Sequence, residues 1–515
     1  MIRLYEVRME INDGINELKA KCEEKLGVAI PEIKLIKKSI DARKKHDIFY
    51  SCTVDCNVEI TKTKSNKIKY TYVEDKKYSF PSLSTKDKII IAGSGPAGLF
   101  AALTLSRCGV SPIVIERGQP VDERVKTIND FFHNSVLNPE CNIQFGEGGA
   151  GTFSDGKLNT GVNDLRIKFV IEEFVKHGAP ENILYDSLPH IGTDILRVVI
   201  KNIRNEIIEN GGTFLFDTKL NKINLDNNKL VSIMVINNGE EKEINCDKLL
   251  LAIGHSARDT IKMLYNNGLR MDKKVFSVGL RIEHLQKDIN NALYGDFSHS
   301  LPPAPYKLWM HLPDGNSLYT FCMCPGGYVI NAASEHNRIV TNGMSNNSRD
   351  GENANSALLV NIKYNKDDSV FSGMMLQEKI EHLAYKYSGE NYSMPVQLLG
   401  DFTKGKKSTQ IGDILPTVSN YSFMDLNKIL PDYVSNTIKT GVLQFEKKIK
   451  GFSRYDAVLT GPETRSSSPV TFYRDKDTMK TNIEGIYCAG EGGGHAGGIT
   501  SAAVDGIKVA EKILI

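Results

Sequence analysis

The strongest chemical signal in the chain is Gly93-Ser94-Gly95-Pro96-Ala97-Gly98. It follows the apolar run 89–92 and opens a helical pattern over 97–108, so the spacing predicts strand, turn and helix in that order. Gly93 permits a tight turn, Gly95 lets backbone N–H groups approach a diphosphate, and Gly98 lets the helix lie close to the sheet. The helix start at Pro96 and Ala97 offers the positive end of a helix dipole to an anion. Glu116 closes the next apolar run, 113–115, where a carboxylate would accept hydrogen bonds from ribose hydroxyls and repel a 2′-phosphate. These residues predict a dinucleotide site.

A second glycine cluster lies far along the chain. Residues 486–488 read as a strand and lead into Gly490 and Glu491; Gly492, Gly493, Gly494, His495, Gly497 and Gly498 follow, with a helix starting near Ile499. A flavin needs such a second helix start, because its N1 and C2 oxygen gain negative charge on reduction and backbone donors stabilise that charge. A nicotinamide gathers no such charge. The expected cofactor is therefore FAD, with Glu491 on its ribityl or pyrophosphate side. A third element, the apolar run 249–253 ending at Gly254, would return the chain past the adenosine. It is followed by His255, Ser256, Arg258 and Asp259.

Other residues are candidates for contacts around the ring. The loop 146–157 would lay Gly148 and Gly149 against the cofactor, with Lys157 near N5 or the pyrophosphate. Arg117 and Arg124, just past Glu116, would reach the phosphates. His495 is the candidate general acid or base, since imidazole titrates near neutrality. Arg281 and Arg465 are candidates for bidentate binding of an anionic substrate group. Cys322 and Cys324 would share one face of a strand; they are read as buried reduced thiols, with a thiol relay as the alternative. No cysteine spacing suggests a metal or iron–sulfur site, because the nine cysteines contain no CxxC and no group of four.

The elements that must position these residues follow from pattern and composition. The 515 residues carry 64 Lys plus Arg against 62 Asp plus Glu, 41% hydrophobic residues, and no apolar run long enough to span a membrane. That balance suits a multidomain chain with a large core and argues against a dedicated nucleic-acid binder. The low, odd cysteine count and the lack of a signal-like N-terminus predict a reducing, cytoplasmic setting. Residues 1–80 read as a small α+β domain, with strands near 2–9, 33–40 and 48–61 and a helix over 16–26. Its cluster Lys34, Lys37, Lys38, Arg43, Lys44 and Lys45 is read first as a solvated hairpin tip and second as a grip for RNA or an acidic partner. After a linker near 78–88, residues 86–272 and 436–515 form the two parts of an α/β cofactor domain. A β-rich unit over 273–435 interrupts it and would roof the ring.

With these pieces assembled, the chain resembles the glutathione-reductase-type flavoprotein superfamily. Within it, the chain looks most like a bacterial family of uncharacterised FAD-dependent dehydrogenases, related remotely to geranylgeranyl reductases and electron-transfer-flavoprotein:quinone oxidoreductases. The stretches carrying the resemblance are 146–158, 254–260, Phe321-Cys322-Met323-Cys324-Pro325-Gly326-Gly327 and Glu463-Thr464-Arg465-Ser466-Ser467-Ser468-Pro469. The resemblance implies FAD and a Rossmann-like redox fold; it implies no substrate. A CxxxxC pair near the first glycine cluster is missing, and so is a second GxGxxG unit for a pyridine nucleotide. The expected activity is that of a FAD-dependent dehydrogenase, with hydride passing through flavin N5 from a small-molecule substrate or NAD(P)H, or electrons supplied by a protein partner. The alternatives are a flavin-dependent RNA-modifying enzyme and a non-enzymatic redox sensor or electron-transfer partner.

Overall fold

The structure, a computed structural model, describes residues 1–59, 69–74, 76–161, 163–364 and 368–515. Its centre is a five-stranded parallel sheet in the order Ile486–Cys488, Lys248–Leu251, Ile89–Ala92, Ile113–Ile115, Thr213–Leu215. These strands are short and mostly apolar, as strands covered on both faces must be. One face packs under the helices Pro96–Arg107, Thr193–Glu209 and Ile499–Ile513 in a continuous apolar core. The other packs against a three-stranded antiparallel sheet formed by Thr218–Asp226, Lys229–Asn237 and Glu240–Asn245. The fold is thus Rossmann-like, with a β-rich second unit.

That second unit is a seven-stranded sheet. Its order is Trp309–His311, Ser317–Cys324, Asn353–Asn361, Ser277–Leu285, Val458–Glu463, Met394–Leu398, Tyr421–Phe423. All pairs are antiparallel except the last, and the turn at 314–316 joins the first two strands as a hairpin. The sequence pattern places the end of this unit at 435, but Val458–Glu463 is an interior strand of the sheet. The helix Asp432–Phe445 shares the sheet's core. A short pair, Met271–Lys273 with Val470–Phe472, marks where the chain enters and leaves. Nothing in the apolar pattern after 435 distinguishes a strand returning to one sheet from a strand entering the other.

The N-terminal unit is a four-stranded antiparallel sheet, ordered Ile33–Asp41, Phe49–Cys56, Ile2–Met9, Tyr70–Tyr72, with the helix Ile15–Leu26 on one face. Of the strand expected over 48–61, Phe49–Cys56 is strand, and residues 60 and 61 lie outside the described residues. Its buried side chains, among them Leu4, Val54 and Leu18, join the same apolar core as Val278, Leu280 and Val458 of the seven-stranded sheet. No helix among the described residues is long and apolar enough to cross a membrane.

Candidate functional site

A cavity of about 390 Å³ lies where the parallel sheet, the loop 144–159 and the seven-stranded sheet meet. That volume falls in the range of clefts that hold cofactors and substrates. Gly93, Gly95, Pro96 and Ala97 line it from the first glycine cluster, and Gly490, Glu491, Gly497, Gly498 and Ile499 line it from the second. Both clusters start helices, and those helices pack against each other. A Cβ on Gly506 would meet the Ala97 carbonyl oxygen at 2.1 Å, and one on Gly490 would meet the Ala97 Cβ at 2.8 Å. Bare glycines at 490 and 506 therefore set how close the two helix starts come.

The first turn follows the expected division of labour. Gly93 has φ +104° and donates to the Ile115 carbonyl at 2.8 Å. A Cβ on Gly98 would sit 1.9 Å from the Gly93 carbonyl oxygen, so this glycine serves helix packing and does not line the cavity. Gly95 is different, because the nearest atom to a Cβ there is 3.8 Å away. Its bare face opens on the cavity, the geometry a diphosphate needs.

Glu116 lines the cavity, yet both of its oxygens already accept hydrogen bonds from the chain. Oε2 takes the Ser94 N–H at 2.9 Å and the Ser94 hydroxyl at 2.8 Å; Oε1 takes the Gly118 N–H at 3.1 Å and the Gly146 N–H at 2.9 Å. The carboxylate thus ties the first turn to the loop 144–159. A ribose hydroxyl would share it with Ser94, whose hydroxyl can rotate away.

All four arginines expected to face ligands are held by other groups of the chain. Arg124 is fully buried and donates to the carbonyls of Asn142, Ile143, Gly146, Glu147 and Gly149, so it pins the loop and does not reach the cavity. Arg281 is also fully buried and is held bidentate by Glu463 at 2.8 and 2.9 Å. The anion-binding role expected of it is corrected, because a guanidinium closed by a carboxylate in the core has no fork left for substrate. Arg465 lines the cavity, but it donates to Glu381, Glu335 and Ser334, and Arg258 shares the same two carboxylates. Arg117 lines the cavity with its guanidinium 4.1 Å from the Phe145 ring centre and paired to Glu140 and Asp259.

The acid–base role expected of His495 is also corrected. The residue is absent from the cavity lining, its Nε2 lies 3.2 Å from the Phe472 carbonyl, and burial followed by Arg474 holds its pKa down to about 4. Gly148 is likewise outside the lining, since its missing side chain makes room for Thr152 and Ile200. Gly149 lines the cavity and presses on Gly95, 3.1 Å from a Cβ built on it. Lys157 lines the cavity too, its ammonium bound to Asp155 at 2.8 Å and to the Met323 carbonyl, so it links the loop to the seven-stranded sheet. Arg349 completes the cover on Asp155.

The residues best placed for proton transfer are Glu491 and His255. Both line the cavity, and His255 Nε2 stands 3.9 Å from Glu491 Oε1. Burial pushes the Glu491 carboxyl up to about 7, with Lys274 pulling weakly the other way. Burial, then Arg465 and Arg258, pushes His255 down to about 3 and keeps it a neutral hydrogen-bonding group. His255 was visible in sequence only as a polar residue after Gly254. Gly254 lines the cavity, and a Cβ on Gly492 would meet its carbonyl at 2.6 Å, so the second and third elements are packed together. Thr218, Lys219 and Leu220, which also line the cavity, lie on a strand of the hairpin sheet with no motif to announce them.

The parallel sheet with its two glycine-started helices, closed over by an antiparallel sheet, defines a dinucleotide-binding protein of the flavoprotein class. Residues 275–466 match a family model described as FAD-dependent protein, C-terminal domain-like, and residues 86–128 match a FAD binding domain. Residues 1–57 match a domain of unknown function. An uncharacterised protein of Clostridium beijerinckii is 47% identical over 534 residues, an alignment that spans 100% of this chain and 98% of that one. The chain belongs to the family of that protein, and its cofactor is FAD. Two solved structures resemble it at low identity. A triple mutant of a flavin-dependent brominase is 14% identical with a TM-score of 0.38, over 83% of this chain and 80% of that one. A geranylgeranyl bacteriochlorophyll reductase-like protein of Thermoplasma acidophilum is 10% identical with a TM-score of 0.36, over 83% and 78%.

Proposed function

We propose that the protein is a FAD-dependent dehydrogenase that passes a hydride from NAD(P)H, by way of the flavin, to a small organic substrate. The observation that carries the reading is the meeting of Gly93–Ala97 and Gly490–Ile499 in the lining of one cavity. When bound, FAD supplies a two-electron carrier that accepts and returns hydride at N5. The first glycine turn would hold the diphosphate, and the helix start at Gly498 would stabilise charge gained on the ring. Glu491 titrates near neutrality inside the cavity, so it suits the proton that accompanies hydride arriving at a carbonyl carbon. His255 beside it would orient that oxygen as a neutral donor. Phe321 and Cys322 from the seven-stranded sheet, Ser466 from the turn after Val458–Glu463 and Asn342 from the short strand Thr341–Met344 form the wall where substrate or nicotinamide would stack.

Anaerobic mixing of the oxidised holoprotein with NADH and with NADPH tests this reading. One nucleotide should bleach the flavin, and deuterium at the transferred position of the nicotinamide should slow the bleaching. Bleaching by neither nucleotide, or a rate indifferent to deuterium, would contradict it.

A further inference from the structure

Among the described residues, Cys322 is the one cysteine of the nine that lines the cavity. It sits at a bulge, where the strand Ser317–Cys324 loses register with Asn353–Asn361 between Phe321 and Cys324. Its φ is +43°, a left-handed conformation that a residue bearing a side chain keeps only when its surroundings hold it there. Such outliers gather at functional positions, and this one has a physical consequence. The turn folds Cys324 back, placing its Sγ 3.3 Å from the Cys322 carbonyl oxygen.

Two cations bracket the segment. Arg281 Nη1 lies 3.2 Å from the Cys322 carbonyl oxygen and 4.0 Å from Cys324 Sγ, and Lys157 donates to the Met323 carbonyl between them. Both cations are anchored, Arg281 by Glu463 and Lys157 by Asp155, so their fields are fixed on the sulfurs. The thiol of Cys324 hydrogen-bonds Cys322, and with Lys157 and Arg281 it draws Cys322 down toward the thiolate while Cys324 is driven up. Of the pair, Cys322 is the thiol that ionises the more readily and it lines the cavity, while the Cys324 thiol is held against the Cys322 carbonyl, an arrangement that suits thiol–disulfide chemistry. A disulfide spanning one intervening residue is strained, and strained disulfides are the easily reduced ones that serve as electron carriers.

We propose that Cys322 and Cys324 form a dithiol–disulfide couple that exchanges two electrons with FAD in the cavity. This rests on the flavoprotein reading above and adds a second redox centre to it. In the oxidising direction both sulfurs lose their protons and one S–S bond forms. The two electrons pass to the flavin, one proton goes to N5 and the other is released to water. The reverse direction opens the disulfide and leaves the flavin oxidised. Cys322 is the sulfur a disulfide substrate could reach, and Cys324 is the one that would resolve the mixed disulfide.

The test is a reductive titration of the holoprotein after treatment with diamide and desalting, with thiols mapped by alkylation and peptide mass. The wild-type protein should take four reducing equivalents per FAD and show a Cys322–Cys324 disulfide before titration. Cys324→Ser should take two fewer than wild type, and Cys322→Ser should do the same where the first variant does not accumulate. A wild-type protein that carries FAD, takes two equivalents and keeps both thiols alkylatable overturns the couple alone. A chain that carries no FAD overturns this proposal and the proposed function together.

Discussion

At the scale of single residues, the site is built on carboxyl groups held in opposite states. Glu381 is buried between Arg258 and Arg465 and stays ionised well below the ordinary carboxylate range. Among the described residues Glu491 has no such partner at bonding distance, and it is pushed up by burial to about 7. Its ordinary value is 4.5, so across the window from about 4.5 to 7 the folded chain holds a proton that the unfolded chain has lost. The stability this contributes is complete below that window and is lost as pH rises through 7. Glu491→Gln removes the titration, so the variant should gain on wild type as pH rises from 5 to 8. Thermal melts of the two apoproteins at those pH values check the sign; a difference in melting temperature that does not change with pH would contradict the assignment. The glycine at 95, the acid at 116 and the acid at 491 were legible in sequence, because each stands at a fixed offset from a strand end. The commitments of Arg124 and Arg281 were not legible, since their partners lie 18 to 25 and 182 residues away and follow no spacing rule.

At the scale of elements, the two cofactor helices owe their approach to a residue that carries no motif. Gly506 stands inside the helix Ile499–Ile513, where alanine would ordinarily favour the helix by about 1 kcal/mol. Here the added Cβ would meet backbone at 2.1 Å, on the first turn of the neighbouring helix. Gly506→Ala should therefore destabilise the protein despite its better helix propensity and should weaken FAD binding in parallel. Chemical denaturation with and without FAD checks both effects; a variant more stable than wild type would show that the helices have room to part. Both helices could be read from the apolar pattern, Pro96–Arg107 and Ile499–Ile513 lying within a residue or two of their expected limits. Their contact could not, because a glycine in a helix reads as a weakness until its neighbour is seen. The bulge at Cys322 was hidden for a similar reason. Alternation along 317–324 predicts an even strand, and only pairing with Asn353–Asn361 reveals the slip.

At the scale of the whole molecule, two of the three units share one core. The N-terminal sheet is continuous with the core of the cavity's antiparallel wall, so it braces the wall from behind. It also touches the cofactor domain directly, where the Lys38 backbone exchanges hydrogen bonds with Tyr185 and Ser187. The return of the chain to the parallel sheet at Ile486–Cys488 was readable from the second glycine cluster. The crossing of the chain at 458–463 was not, because strands of either sheet are equally apolar there. What the whole architecture exists to do, on this account, is to close one cavity around one FAD reached from both ends.

The most direct measurement is calorimetric titration of FAD into the apoproteins of wild type, Gly95→Val and Gly497→Val, with melts of each. A Cβ at 497 meets nothing within 4 Å and one at 95 nothing closer than 3.8 Å, so both variants should fold with near-wild-type stability. The account predicts one FAD per wild-type chain and a loss of about 100-fold or more in affinity, near 3 kcal/mol, for each variant separately. A folded Gly497→Val protein that binds FAD as tightly as wild type would contradict it, because the second cluster would then not touch the cofactor.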